Sequence, residues 1–156
     1  MTSLAEQIRE VALQYPDSRS AILPALQLAQ ERHGGWLPRE AFIEVGEALG
    51  LTPAYCLSVA SFYDLFNLAP VGRHSVHVCT NVSCALVGAQ QVLEAFESEL
   101  GCHAGETTED GAVTLGTIEC LGGCGWATVV AIDHRYRLHV SPEDVPGILE
   151  ELRAGA

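Results

Sequence analysis

Two cysteine pairs constrain this chain more than any other feature. They are Cys79-Thr80-Asn81-Val82-Ser83-Cys84 and Cys120-Leu121-Gly122-Gly123-Cys124. The spacings are C-x4-C and C-x3-C, with residues 85–119 between them. A fold that uses all four must bring two distant loops together. Six cysteines in a chain whose first ten residues are polar and lack an apolar secretory core point away from disulfides. Metal binding or redox chemistry is the default for such cysteines in a reducing compartment.

The pattern around the pairs says how the loops are presented. Residues 75–79 alternate in polarity as a strand does, and Cys79 ends that run. A loop is expected from Cys79 to Cys84, then an amphipathic helix with Leu86, Ala89, Leu93, Phe96 and Leu100 on one face and Gly101 as its stop. Val113–Ile118 reads as a second strand, followed by the glycine-rich loop Cys120–Gly125. Ala127–Ile132, an apolar run interrupted by Thr128, and Arg135–Val140 read as two more strands joined at Asp133-His134. Pro142 opens a last helix to about Arg153. Both cysteine pairs therefore fall in loops directly after strands.

The first half is helical. Leu4, Ile8 and Val11 recur at helical spacing, and Pro16-Asp17 breaks that segment. A second helix is expected over about Ser20–Arg32, a third opened by Pro38 and closed by Gly50, and a fourth from Thr52-Pro53 to about Asp64. The composition shifts after Pro70. The expected fold class is α+β: a small helical bundle over residues 1–70, then a compact β-α-β-β-α layer over 71–156.

A [2Fe–2S] cluster needs four thiolates, two per iron, and two loops with two cysteines each meet that need. Gly122, Gly123 and Gly125 would let backbone N–H groups approach sulfur, and the helix after Cys84 would turn its positive end toward the first loop. A structural zinc site usually uses C-x2-C knuckles, and a dithiol oxidoreductase uses C-x-x-C; neither spacing occurs here. Both stay open as rival readings. Apolar residues make up 48%, enough for a core, while a net charge of −12 speaks against nucleic acid or an anionic membrane as partner. It permits a basic face on a partner protein. No stretch approaches the ~20 apolar residues of a membrane span. A cytoplasmic chain is expected, peripheral to the membrane if it docks there through a complex.

With these residues in view, the chain resembles the thioredoxin-like [2Fe–2S] subunit of NADH:quinone oxidoreductase (respiratory complex I), the E-type subunit. The resemblance rests on Ser61-Phe62-Tyr63-Asp64-Leu65-Phe66, Val78-Cys79-Thr80-Asn81-Val82-Ser83-Cys84, Gly105-Glu106-Thr107-Thr108-Glu109-Asp110-Gly111 and Glu119-Cys120-Leu121-Gly122-Gly123-Cys124. It implies a helical bundle followed by a thioredoxin-like [2Fe–2S] ferredoxin domain, with Cys79, Cys84, Cys120 and Cys124 as cluster ligands. It also implies an FMN- and NADH-binding partner subunit, a large iron–sulfur subunit in the same complex, and electron transfer as the function. Related subunits serve NAD-linked formate dehydrogenases and hydrogenases, which is the alternative owner. One departure is Thr128, which stands where the family usually has proline. A different loop geometry is therefore expected there, with Trp126 shielding the site.

Other residues read as structural. Cys56 and Cys102 have no partner at ligand spacing and are expected to be buried thiols. His77 is expected beside the site or in packing, and Phe62, Tyr63 and Phe66 in a core. Residues 106–110 read as a solvated acidic turn. No phosphate loop, triad or acidic dyad suggests a substrate pocket in this chain, and no G-x-G-x-x-G follows a strand, so FMN and NADH belong to a partner.

Overall fold

The computed structural model describes residues 2–155. The chain divides into two compact units between Pro70 and Val71.

In the first unit, α1 (Leu4–Ala12) starts at a capping box. Ser3 Oγ accepts the Glu6 N–H, and the Glu6 carboxylate accepts the Ser3 N–H at 2.8 Å. A short 3₁₀ turn, Ser18–Ala21, is capped by Asp17 and leads into α2 (Ile22–Arg32). Helix α3 (Arg39–Leu49) ends on Gly50 in the left-handed region, at φ +69°. Helix α4 (Pro53–Ala60) has Thr52 as its N-cap and proline at its first position. Ile8, Leu26, Leu37, Val45, Cys56 and Phe66 form the buried core.

Helix α4 stops at Ala60, short of the expected Asp64, because the chain beyond it is held by a buried side chain. Gln30 donates from Nε2 to Leu65 O at 3.1 Å and accepts the Asn67 N–H on Oε1 at 2.7 Å. Asn67 Nδ2 in turn donates to Gly35 O at 2.9 Å. This is also why the aromatic run does not go to core as a set. Phe66 is buried, whereas Phe62 is 78% exposed and Tyr63 packs edge-on against it, itself exposed.

The second unit is a four-stranded sheet in the order β2-β1-β3-β4. Strand β1 (His74–Cys79) leads into α5 (Val82–Leu86) and α6 (Ala89–Leu100), and β2 (Val113–Ile118) returns parallel to β1. Strand β3 (Val130–Ile132) pairs antiparallel with β1 and with β4 (Arg135–Arg137). The β3–β4 turn is Asp133-His134, both with positive φ, and Asp133 is anchored by accepting the Ser75 N–H. A 3₁₀ turn, Pro142–Asp144, opens α7 (Val145–Ala154). Strands alternate their side chains, so Val76 and Val78 face one side with their partners Ile132 and Val130. That side packs on Phe96 of α6 and Ile148 and Leu149 of α7. His77 faces the other side, over Gly116, where an added Cβ would lie 2.8 Å from its Cδ2.

Two expectations change. The single helix foreseen after Cys84 is two, because Asn81 caps a short α5 that already contains Cys84, and Gly88 at φ +106° separates it from α6. Leu86 is accordingly 82% exposed rather than on the buried face. The third and fourth strands are shorter than Ala127–Ile132 and Arg135–Val140, because their outer residues bond to one another out of the strand register. Thr128 O accepts the Val140 N–H, and the His139 N–H goes to Trp126 O.

Candidate metal centre

The register of β1 against β2 sets the site. Cys79 lies opposite Ile118, at the common end of two parallel strands, so the chain leaving β2 as Glu119-Cys120 passes beside Cys79. The Thr80 N–H donates to Ile118 O at 3.0 Å, and the Cys79 thiol faces Glu119 O at 3.9 Å. From the other side, the Cys79 N–H donates to Val129 O at 3.0 Å. The two loops are thus tied to each other and to the segment before β3.

Cys84 is the third residue of α5, with its sulfur beside the Val129 backbone N–H and the Cys79 thiol and within electrostatic reach of Cys124. Burial pushes its thiol up. The Val129 N–H opposes that shift, and the neighbouring sulfurs of Cys79 and Cys124 add to it. Thiolates crowded in this way need a cationic group between them, and metal binding that displaces the protons supplies it. Cys79 and Cys84 are buried, whereas Cys120 and Cys124 are exposed at the mouth. Among the described residues no three Cys, His, Asp or Glu side chains converge on a single-ion position.

The second loop is shaped to present amides. Gly122 takes φ +76° and donates its N–H to Cys120 Sγ at 3.4 Å. Gly123 lies against Val129, so that an added Cβ would sit 2.8 Å from Val129 Cγ2. At Gly125, as at Gly122, nothing lies within 4 Å of an added Cβ.

Thr128 is the residue whose role sequence reasoning missed. Its peptide bond with Ala127 is cis, with threonine in place of the expected family proline. Its side chain is 2% exposed, and Oγ1 has no hydrogen-bond partner among protein atoms. A buried hydroxyl left unpaired costs about 1–3 kcal/mol. An orphan donor one residue from the amide that faces Cys84 suits a site built for an anionic sulfur group. Its signals in the sequence were a hydroxyl residue inside an apolar run and the departure from the family's proline. Trp126 is 55% exposed and stands at the rim instead of sealing the site. Val82, Leu86 and Val87 are exposed on the same cysteine-bearing segments.

Cys56 and Cys102 are buried as expected, and burial pushes both thiols up. A groove lined by Arg73, His74, Glu99, Asp110 and Arg153 lies at the start of β1 and β2, the end of those strands opposite the cysteines. No helix among the described residues is long and apolar enough to cross a membrane.

Residues 8–153 match the thioredoxin-like [2Fe–2S] ferredoxin family. The chain is 42% identical over 152 residues to an E-type NADH-quinone oxidoreductase subunit of Rhizobium meliloti (strain 1021), the one numbered 2 there, covering 97% of this chain and 90% of that one. It is 41% identical over 153 residues to the E-type NADH-quinone oxidoreductase subunit of Rickettsia bellii (strain RML369-C), with 97% and 90% covered. Mitochondrial NADH dehydrogenase [ubiquinone] flavoprotein 2 of Dictyostelium discoideum is 33% identical over 149 residues, with 94% of this chain and 60% of that one covered. Among solved structures, an NAD⁺-reducing [NiFe]-hydrogenase in the H₂-reduced state superposes with a TM-score of 0.76 at 23% identity, over 86% of this chain and 22% of that chain. That likeness is one of fold.

Proposed function

This chain belongs to the thioredoxin-like [2Fe–2S] ferredoxin family, and from that premise we propose that it is the E-type electron-transfer subunit of an NADH:quinone oxidoreductase. When bound, the [2Fe–2S] cluster supplies a one-electron donor and acceptor. The proposed ligands are Cys79 and Cys84 from the first loop and Cys120 and Cys124 from the second. The observation that carries this reading is the convergence of the β1 and β2 ends, with the Cys84 thiol beside Cys79 and within electrostatic reach of Cys124.

The chain's own groups have distinct tasks. Cys79 and Cys84 would hold the inner side, away from water. The Gly122 and Val129 amides donate toward sulfur and offset its negative charge. Cys120 and Cys124 keep the outer side open toward a partner. The exposed Val82, Leu86, Val87 and Trp126 form an apolar rim on those segments, suited to docking the FMN- and NADH-binding subunit, with the large iron–sulfur subunit in the same assembly. Residues 1–70 are taken as a helical-bundle domain and 71–156 as the cluster domain. The proposed setting is the cytoplasm, peripheral to the membrane through the complex.

The test is electron paramagnetic resonance on the anaerobically purified, dithionite-reduced chain. A rhombic spin-one-half signal with two irons per chain is expected. Cys120→Ala should abolish or change that signal, and an unaltered spectrum would remove Cys120 from the ligand set. A colourless protein holding a single zinc would overturn the reading.

A further inference from the structure

We propose that the Thr128 hydroxyl donates a hydrogen bond to a sulfide of the cluster held at the cysteine site and thereby raises its reduction potential. This rests on the cluster-binding reading above.

Four observations converge on it. The hydroxyl is a donor without a protein partner. It is enclosed, so bulk water does not satisfy it. Its residue is held on both sides: Thr128 O accepts the Val140 N–H, and Val129 O accepts the Cys79 N–H, both at 3.0 Å. The next amide along, the Val129 N–H, already faces the Cys84 sulfur. The hydroxyl therefore belongs to the residue that adjoins the amide beside the Cys84 sulfur, in a segment tied at both carbonyls. A buried donor held in such a place is ready for an acceptor supplied by the loaded site.

The consequence follows from charge. The reduced group carries one more negative charge than the oxidised one. A hydrogen bond to its sulfur strengthens as that charge grows, so the donor favours the reduced state and the potential rises. Removing the hydroxyl while keeping the shape should lower it.

The experiment is a potentiometric titration of the full-length, cluster-loaded chain followed by its paramagnetic signal, with iron per chain measured in parallel. Thr128→Val removes the hydroxyl, and Thr128→Ser keeps it. At the wild-type midpoint, Thr128→Val should show a reduced-to-oxidised ratio lower by up to about tenfold, a shift of about 59 mV for a one-electron couple. Thr128→Ser should stay near wild type. A loaded Thr128→Val with the wild-type midpoint overturns the proposal. Should Thr128→Val not load, Thr128→Ala is titrated in its place: a lowered midpoint supports the proposal and an unchanged one overturns it. If neither hydroxyl-free variant loads while Thr128→Ser does, the hydroxyl contact is sustained. Loss of loading in Thr128→Ser as well assigns the residue to packing and overturns it. A wild-type chain that binds no cluster sinks the cluster-binding reading itself, a result distinct from all of these.

Discussion

Gly123 and Gly125 flank Cys124, yet only one of them has a reason to lack a side chain. A Cβ at Gly123 would press on Val129, a stiff β-branched side chain that is fully buried. Val129 cannot move freely, because its carbonyl holds the Cys79 N–H and its amide faces Cys84. Gly123→Ala should therefore cost about 1–3 kcal/mol, as overpacking does, and lower the iron retained per chain. At Gly125 an added methyl meets nothing, so Gly125→Ala should stay within about 0.5 kcal/mol of wild type with full iron content. Urea unfolding and iron analysis of both variants check this. Equal losses in the two would mean that loop flexibility, and not contact with Val129, is what the glycines supply. The spacing of Cys120 and Cys124 was legible in the sequence because it is local. Which neighbouring glycine matters was not, because the answer lies on Val129, a residue of the next segment.

Helix α7 shows what a short local motif does for an element. The Asp144 carboxylate accepts the Ser141 N–H at 2.8 Å and the Ser141 hydroxyl at 2.7 Å. These bonds hold its carboxyl below the ordinary aspartate range. A carboxyl whose folded pKa is depressed stabilises the fold fully above its unfolded value, and that stability is lost as pH falls through the lower folded value. Asp144→Ala should thus be less stable than wild type at neutral pH, and the gap should narrow once the pH drops well below about 3.9, the free aspartate value. Thermal melts of both proteins across that range measure it, and a gap independent of pH would refute it. Helices α1, α3 and α7 were readable from local signals: the spacing of Leu4, Ile8 and Val11, the stop at Gly50, and Pro142 at an opening turn. The early end of α4 was not readable, because Gln30 captures Leu65 and Asn67 from far along the chain. Helix α5 escaped notice because five residues are too few to show a helical period.

Every cysteine and hydrogen bond described at the metal centre belongs to residues 71–156, and that unit has its own core around Val76, Phe96, Leu115 and Leu149. A unit of this size buries too little apolar surface for a wide margin of stability. The centre compensates by joining the chain after β1 to the chain after β2, so that metal binding adds directly to folding free energy. A fragment of residues 71–156 should therefore take up iron and sulfide and give the rhombic spectrum of the full chain. Its unfolding midpoint in urea should drop sharply once the iron is chelated. The helical unit, whose core around Ile8, Leu26 and Val45 contains none of the four cysteines, should contribute nothing to the spectrum. A fragment that stays folded by circular dichroism but cannot load would show that residues 1–70 help build the centre. A loaded fragment whose midpoint ignores chelation would show that the sheet and its helices hold the loops together without the metal.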